Sequence, residues 1–117
     1  MKVLVKVECK EGKTLGYQPF DMEWVFTKFD GLKEAVLDNC HNGLSVLERF
    51  KNKPELKEKG LFSVKTCGES IELDGGVRQE VNIVSEISYI HLLEGQTAYL
   101  LNPETGKTID IIRYDDL

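Results

Sequence analysis

Two Gly-Lys-Thr triplets, Gly12-Lys13-Thr14 and Gly106-Lys107-Thr108, end as a phosphate-binding loop ends, with a lysine poised behind a glycine. Such a loop needs a further glycine five residues before its last one, where this chain has Val7 and Leu101, and it must open a helix. The residues around both triplets read as strands, so neither triplet binds phosphate in this way. Asp38, Cys40 and His41 lie within four residues and offer a thiol, an imidazole and a carboxylate. Adjacent residues on a helix point about 100° apart, and no second ligand pair at a recognised spacing supports them, since Cys9, Cys67 and His91 stand alone. A core cysteine beside a surface histidine is the simpler expectation. None of the five serines sits in a Gly-x-Ser-x-Gly elbow.

Carboxylate pairs are frequent, among them Glu69 with Glu72 and Asp115 with Asp116, but general acid–base work needs convergence that spacing alone does not provide. Arg49, Lys51, Lys53, Lys57 and Lys59 form a basic stretch diluted by Glu48, Glu55 and Glu58, with Phe50 as its one aromatic. That pattern is a solvated face rather than a nucleic-acid groove. Asn102-Pro103-Glu104-Thr105-Gly106 resembles a sorting signal, which a membrane span and a basic tail would follow. Lys107 to Leu117 is neither, so a hairpin loop is expected. The sequence therefore predicts no catalytic residue, no metal site and no cofactor.

The elements that would position a site are easier to read. Val3, Val5, Val7 and Cys9 alternate with Lys2, Lys6, Glu8 and Lys10, the period of a half-buried strand. Gly12 allows a turn, and Thr14 to Tyr17 would return as a partner that Pro19 stops. Phe20, Met22, Trp24 and Phe26 continue the alternation, which predicts a strand over 21–29 with an aromatic inner face. Asp30 suits a helix N-cap, and Leu32, Val36, Cys40, Leu44, Leu47 and Phe50 then recur along one face, predicting a main helix over 31–51. Asn42-Gly43 is its weak point and divides it into two if the pair ends a helix. Pro54 and Gly60 bound a short helical turn.

Leu61–Thr66 and Ser70–Leu73 flank Cys67-Gly68-Glu69, and Asp74-Gly75-Gly76 closes a hairpin. Residues 77–93 fit either period, with β-branched enrichment favouring a strand. Thr97–Leu101 and Thr108–Tyr114 form a last hairpin around Asn102–Gly106. Strands, one helical region, then more strands predict a single α+β domain over 1–117, a mostly antiparallel sheet of six or seven strands with one main helix packed on one face.

Charge is uneven. Residues 1–65 carry +2 and residues 66–117 carry −7. The three cysteines are too few and too irregular for a disulfide framework and are expected to be reduced. No stretch approaches the roughly 20 apolar residues that span a bilayer, so a cytoplasmic protein without membrane or nucleic-acid partners is expected.

The last hairpin carries large apolar groups on both faces. If Leu101 opposes Thr108, Tyr99 opposes Asp110 and Thr97 opposes Ile112, then Tyr99, Leu101, Ile112 and Tyr114 share one side and Ala98, Leu100, Ile109 and Ile111 the other. One helix covers only one side. The best reading is a small interaction module of inhibitor, immunity or adaptor type. Tyr99, Leu101, Ile112, Tyr114 and the acidic Glu69, Glu72 and Asp74 would meet a basic protein surface or a second copy. The rival readings are a small-molecule-binding or enzymatic domain, with Trp24, Tyr89, Cys40 and His91 lining a cavity, and a structural subunit of a homo-oligomer.

Overall fold

The computed structural model describes residues 2–21 and 23–117, side chains included except at 55. The strands are β1 (Lys2–Glu8), β2 (Thr14–Asp21), β3 (Trp24–Phe26), β4 (Gly60–Glu72), β5 (Arg78–His91), β6 (Thr97–Leu101) and β7 (Thr108–Arg113). The helices are α1 (Phe29–Asn39) and α2 (Gly43–Phe50), with 3-10 turns at Pro54–Lys57 and Tyr114–Asp116. The fold is α+β, as expected, but the seven strands form two antiparallel sheets rather than one, in the orders β2-β1-β6-β7 and β3-β4-β5.

Strand alternation explains the layering. In β4, Phe62 and Val64 face the helices and pack with Leu32, Val36, Cys40, Val46, Leu47 and Leu56. Leu61, one residue out of phase, faces the four-stranded sheet and packs with Val3, Val5, Phe20, Ala98 and Leu100. Helices, three-stranded sheet and four-stranded sheet are thus successive layers, and β4 is buried on both faces at Leu61–Val64.

Several expected boundaries shift for identifiable reasons. Pro19 does not stop β2, because β2 is an edge strand whose outer side has no ladder to donate to. Phe20 belongs to β2 and is buried there. The strand expected over 21–29 is confined to Trp24–Phe26, and its expected inner position Met22 lies outside the described residues. Lys28, with extended backbone and no side-chain cap, precedes α1, while Asp30 sits inside the first turn, where its charge favours the helix dipole.

The main helix does break at Asn42-Gly43. The Asn42 amide donates to the Val84 carbonyl at 3.1 Å while its oxygen accepts from the Val84 N–H at 2.8 Å. With His41 N–H on the Asn82 carbonyl at 2.8 Å, the interhelix turn caps part of the outer edge of β5. A Cβ on Gly43 would lie 2.6 Å from the Val36 carbonyl oxygen, so only glycine lets the helices meet here. Leu44, expected on the buried face, is 66% exposed because the break changes the phase of α2.

Residues 78–91 are strand, and Cys67-Gly68-Glu69 runs through β4 without a turn. The chain reverses at Asp74-Gly75-Gly76, where both glycines take positive φ. Beyond Thr66 and Val84 the β4–β5 hairpin leaves the layered body as an arm, which makes the molecule 61 Å long and 18 Å thick.

Candidate functional site

The four-stranded sheet turns one face inward and leaves the other bare. Register places three rows across the outer face: Pro19–Leu4–Leu101–Thr108, then Tyr17–Lys6–Tyr99–Ile111, then Thr14–Glu8–Thr97–Arg113. The first two rows are mostly apolar and the central one carries both tyrosines, with Tyr17 59% and Ile111 41% exposed. The helices pack chiefly on β3, β4 and β5, on the far side of the molecule. Within the middle row the Lys6 ammonium stands 4.8 Å above the Tyr99 ring, a cation–π contact that fixes the tyrosine at the face's centre.

At the Glu8 end this face runs into an open groove of about 560 Å³. Glu8, Lys10, Glu94, Arg113 and Asp115 give it a mixed-charge lining. Glu8 is only 17% exposed and lies 3.7 Å from Lys6 Nζ, too long for a hydrogen bond, so its buried Oε2 has no donor. Nearby, the Cys9 thiol bonds the Glu11 carboxylate and holds its pKa below the ordinary value.

The expected last-hairpin register holds at Leu101 opposite Thr108 but fails beyond it. Ile109 is an extra, bulged residue, so Leu100 opposes Asp110, Tyr99 opposes Ile111 and Ala98 opposes Ile112. One inserted residue exchanges the faces of everything after it. Tyr99 and Leu101 therefore share the outer face with Ile111, while Ile112 turns inward and packs on the second core cluster. Tyr114 also packs there, under the Lys59 ammonium at 4.2 Å. Tyr99 and Tyr114 thus lie on opposite faces of the sheet, and both are half-buried. Leu4, Lys6, Tyr17 and Pro19 were not expected at this face. The β1 alternation shows that Leu4 and Lys6 share a face, but not that a strand carrying Tyr17 lies beside them.

Glu69, Glu72 and Asp74 are exposed on the arm of the other sheet, separate from the tyrosine face. Glu72 and Glu69 point to opposite faces of β4, and Asp74 occupies the turn. Trp24, Tyr89 and Cys40 belong to one cluster of apolar side chains. They pack into the helix-side core, and burial followed by the Glu23 carboxylate pushes the Cys40 thiol pKa up. His91 stacks on Tyr89 at 5.1 Å, and its Nδ1 faces Glu58 at 3.4 Å. Among the described residues no group of three His, Cys, Asp or Glu is placed to hold a metal ion, and no helix is long and apolar enough to cross a membrane. The three cysteines are free.

No protein-family model, curated protein or solved structure matches the chain.

Proposed function

We propose that this chain is a protein-interaction module and that the outer face of its four-stranded sheet receives a protein partner. The observation that carries the reading is the Tyr17–Lys6–Tyr99–Ile111 row, in which Tyr17 and Ile111 present large apolar groups to solvent on the face turned away from the second core cluster. A sheet face with only a solvent role alternates to polar residues; this one concentrates tyrosine and aliphatic groups inside a charged rim, the composition of a contact surface. The −7 charge of the second half favours a partner with basic character.

The test is capture of partners from the native host by the wild type and by a Tyr99→Glu, Ile111→Glu variant, which should keep the fold because both side chains lie outside the two core clusters. Stoichiometric retention of one protein by the wild type, lost in the variant and weakened by salt, is the expected result. Equal retention by both would place recognition elsewhere and overturn the reading.

A further inference from the structure

Asn42-Gly43 joins the two helices, and each residue is demanded by a different neighbour. Gly43 leaves no room for a Cβ, which would lie 2.6 Å from the Val36 carbonyl oxygen, and the Asn42 amide both donates to Val84 and accepts from it. Together they make the one Asn-Gly pair in the chain. That pair is also the most reactive setting for an asparagine side chain, because a following glycine has no side chain to keep its nitrogen from the asparagine Cγ. Asn39, Asn52 and Asn82 precede Cys40, Lys53 and Ile83, whose side chains hinder that approach. Asn102 precedes Pro103, whose nitrogen has no proton to lose.

We propose that Asn42 is a latent deamidation site, held unreactive by the fold, whose reaction when the helical layer opens prevents the layer from closing again. The Gly43 nitrogen attacks the Asn42 Cγ and closes a five-membered imide ring. The bond from Cγ to the side-chain nitrogen breaks, and that nitrogen leaves as ammonia with the proton from the Gly43 nitrogen. Water then adds to either ring carbonyl and opens the ring. The products are an aspartate in normal linkage and an isoaspartyl residue, in which the main chain runs through the former side chain. Solvent water is the only co-reactant.

The native geometry opposes the first step in two ways. Asn42 has ψ 16°, which turns the Gly43 nitrogen toward the Asn42 nitrogen and away from its side chain. The side chain is tied to Val84 at 3.1 and 2.8 Å, and the Gly43 N–H is directed at the Cys40 carbonyl at 3.3 Å. Ring closure therefore requires the turn to leave the edge of β5. Reaction is confined to chains in which the turn has opened, and its rate follows the population of that open state.

Neither product fits the closed turn. In the aspartyl product an oxygen replaces the nitrogen that donates to the Val84 carbonyl, which sets acceptor against acceptor in a part-buried site. The isoaspartyl product lengthens the main chain by one carbon at a joint too tight for a Cβ on Gly43. Opening without reaction is reversible, and opening with reaction is not. The pair thus converts prolonged opening of the helical layer into a permanent change.

Peptide mapping by mass spectrometry of wild-type protein, held at neutral pH in buffer and in unfolding urea, tests the protection. Conversion at Asn42 should be about tenfold slower or more in buffer, in proportion to the hydrogen-exchange protection of the Val84 amide, which donates to the Asn42 oxygen. Equal rates in buffer and in urea overturn the proposal. To test the consequence, chain converted in urea is returned to buffer beside chain passed only briefly through urea. The briefly exposed chain should recover its urea midpoint and its slow exchange at Val84. The converted chain should show a lower midpoint with fast exchange there, or fail to refold, and Asn42→Asp should lose stability in the same direction. A converted chain that regains the unmodified midpoint and Val84 protection would mean that the turn accepts the products, and this also overturns the proposal.

Discussion

The two strands β4 and β5 form one continuous hairpin whose two halves live in different surroundings. At its root, Leu61, Phe62, Ser63 and Val64 are all 1% exposed or less, held between helices on one side and the four-stranded sheet on the other. In the distal half, the same ladder of backbone hydrogen bonds continues with no residue buried from Cys67 to Ile83. Pairing is therefore not what distinguishes them. The root owes its stability to the layers around it, and the arm has hydrogen bonding without a covering layer, an arrangement that is marginal alone in water.

The largest expected contrast comes from glycines in the two halves. A Cβ on Gly60 would lie 2.1 Å from the Ile90 carbonyl oxygen, a backbone atom that cannot move without breaking the ladder, while a Cβ on Gly68 meets nothing within 4 Å. Gly60→Ala should cost about 3 kcal/mol or more, or prevent folding. Gly68→Ala should stay within about 0.5 kcal/mol and slightly favour the strand. Urea unfolding of dilute protein measures both, and similar losses at the two positions would erase the distinction between root and arm.

Side-chain deletion should follow the same division. Phe62→Ala removes a fully buried ring that meets Phe29 edge-on at 6.4 Å and should cost about 3–5 kcal/mol. Leu73→Ala in monomeric protein should cost less than about 1 kcal/mol, since the residue is already 42% exposed. Asn42→Ala lies between. It removes both side-chain bonds to Val84 and leaves backbone groups at the root's edge without partners, for about 1–3 kcal/mol. Hydrogen exchange should then accelerate at the Val84 amide before it does at Leu61, whereas arm amides exchange fast in every variant.

The division was half legible in the sequence. Leu61-Phe62-Ser63-Val64 is a continuous run, which is how a strand buried on both faces reads, and Asp74-Gly75-Gly76 marked the reversal. Cys67-Gly68-Glu69 looked like an interruption because glycine inside a strand usually signals one, yet Gly68 simply lies on the arm's solvent side, where no packing is lost. The assignment of strands to two sheets could not be read locally. β1 takes β6, 89 residues onward, as its neighbour, and no local period records such a pairing. The outer face was reached only in part for a related reason. Tyr99 and Leu101 follow from alternation within β6, but Ile109's bulge exchanged Ile111 for Ile112, and a bulge leaves no mark on the apolar count.

The smallest effect separates the regions by their thiols. Cys40 lies in the helix-side core at 8% exposure, with burial and then the Glu23 carboxylate raising its pKa above the ordinary 9.0, whereas Cys67 is exposed on the arm. Alkylation follows the thiolate and its accessibility. In dilute native protein Cys67 should label first, Cys9 after it, and Cys40 only on unfolding. The raised native pKa also has a consequence for stability. Well below the unfolded thiol's pKa, under about pH 7.5, Cys40 is a neutral thiol in both folded and unfolded chains and contributes no slope. Above that the unfolded chain releases its proton while the folded one holds it, so the folded chain binds more protons and stability falls as pH rises. Urea midpoints between pH 7.5 and 10 should therefore decline more in the wild type than in Cys40→Val, which keeps an apolar group of similar size in the core. A native protein in which Cys40 labels as fast as Cys67 would mean that the helical layer opens as readily as the arm, and the contrast between covered root and bare arm would not hold.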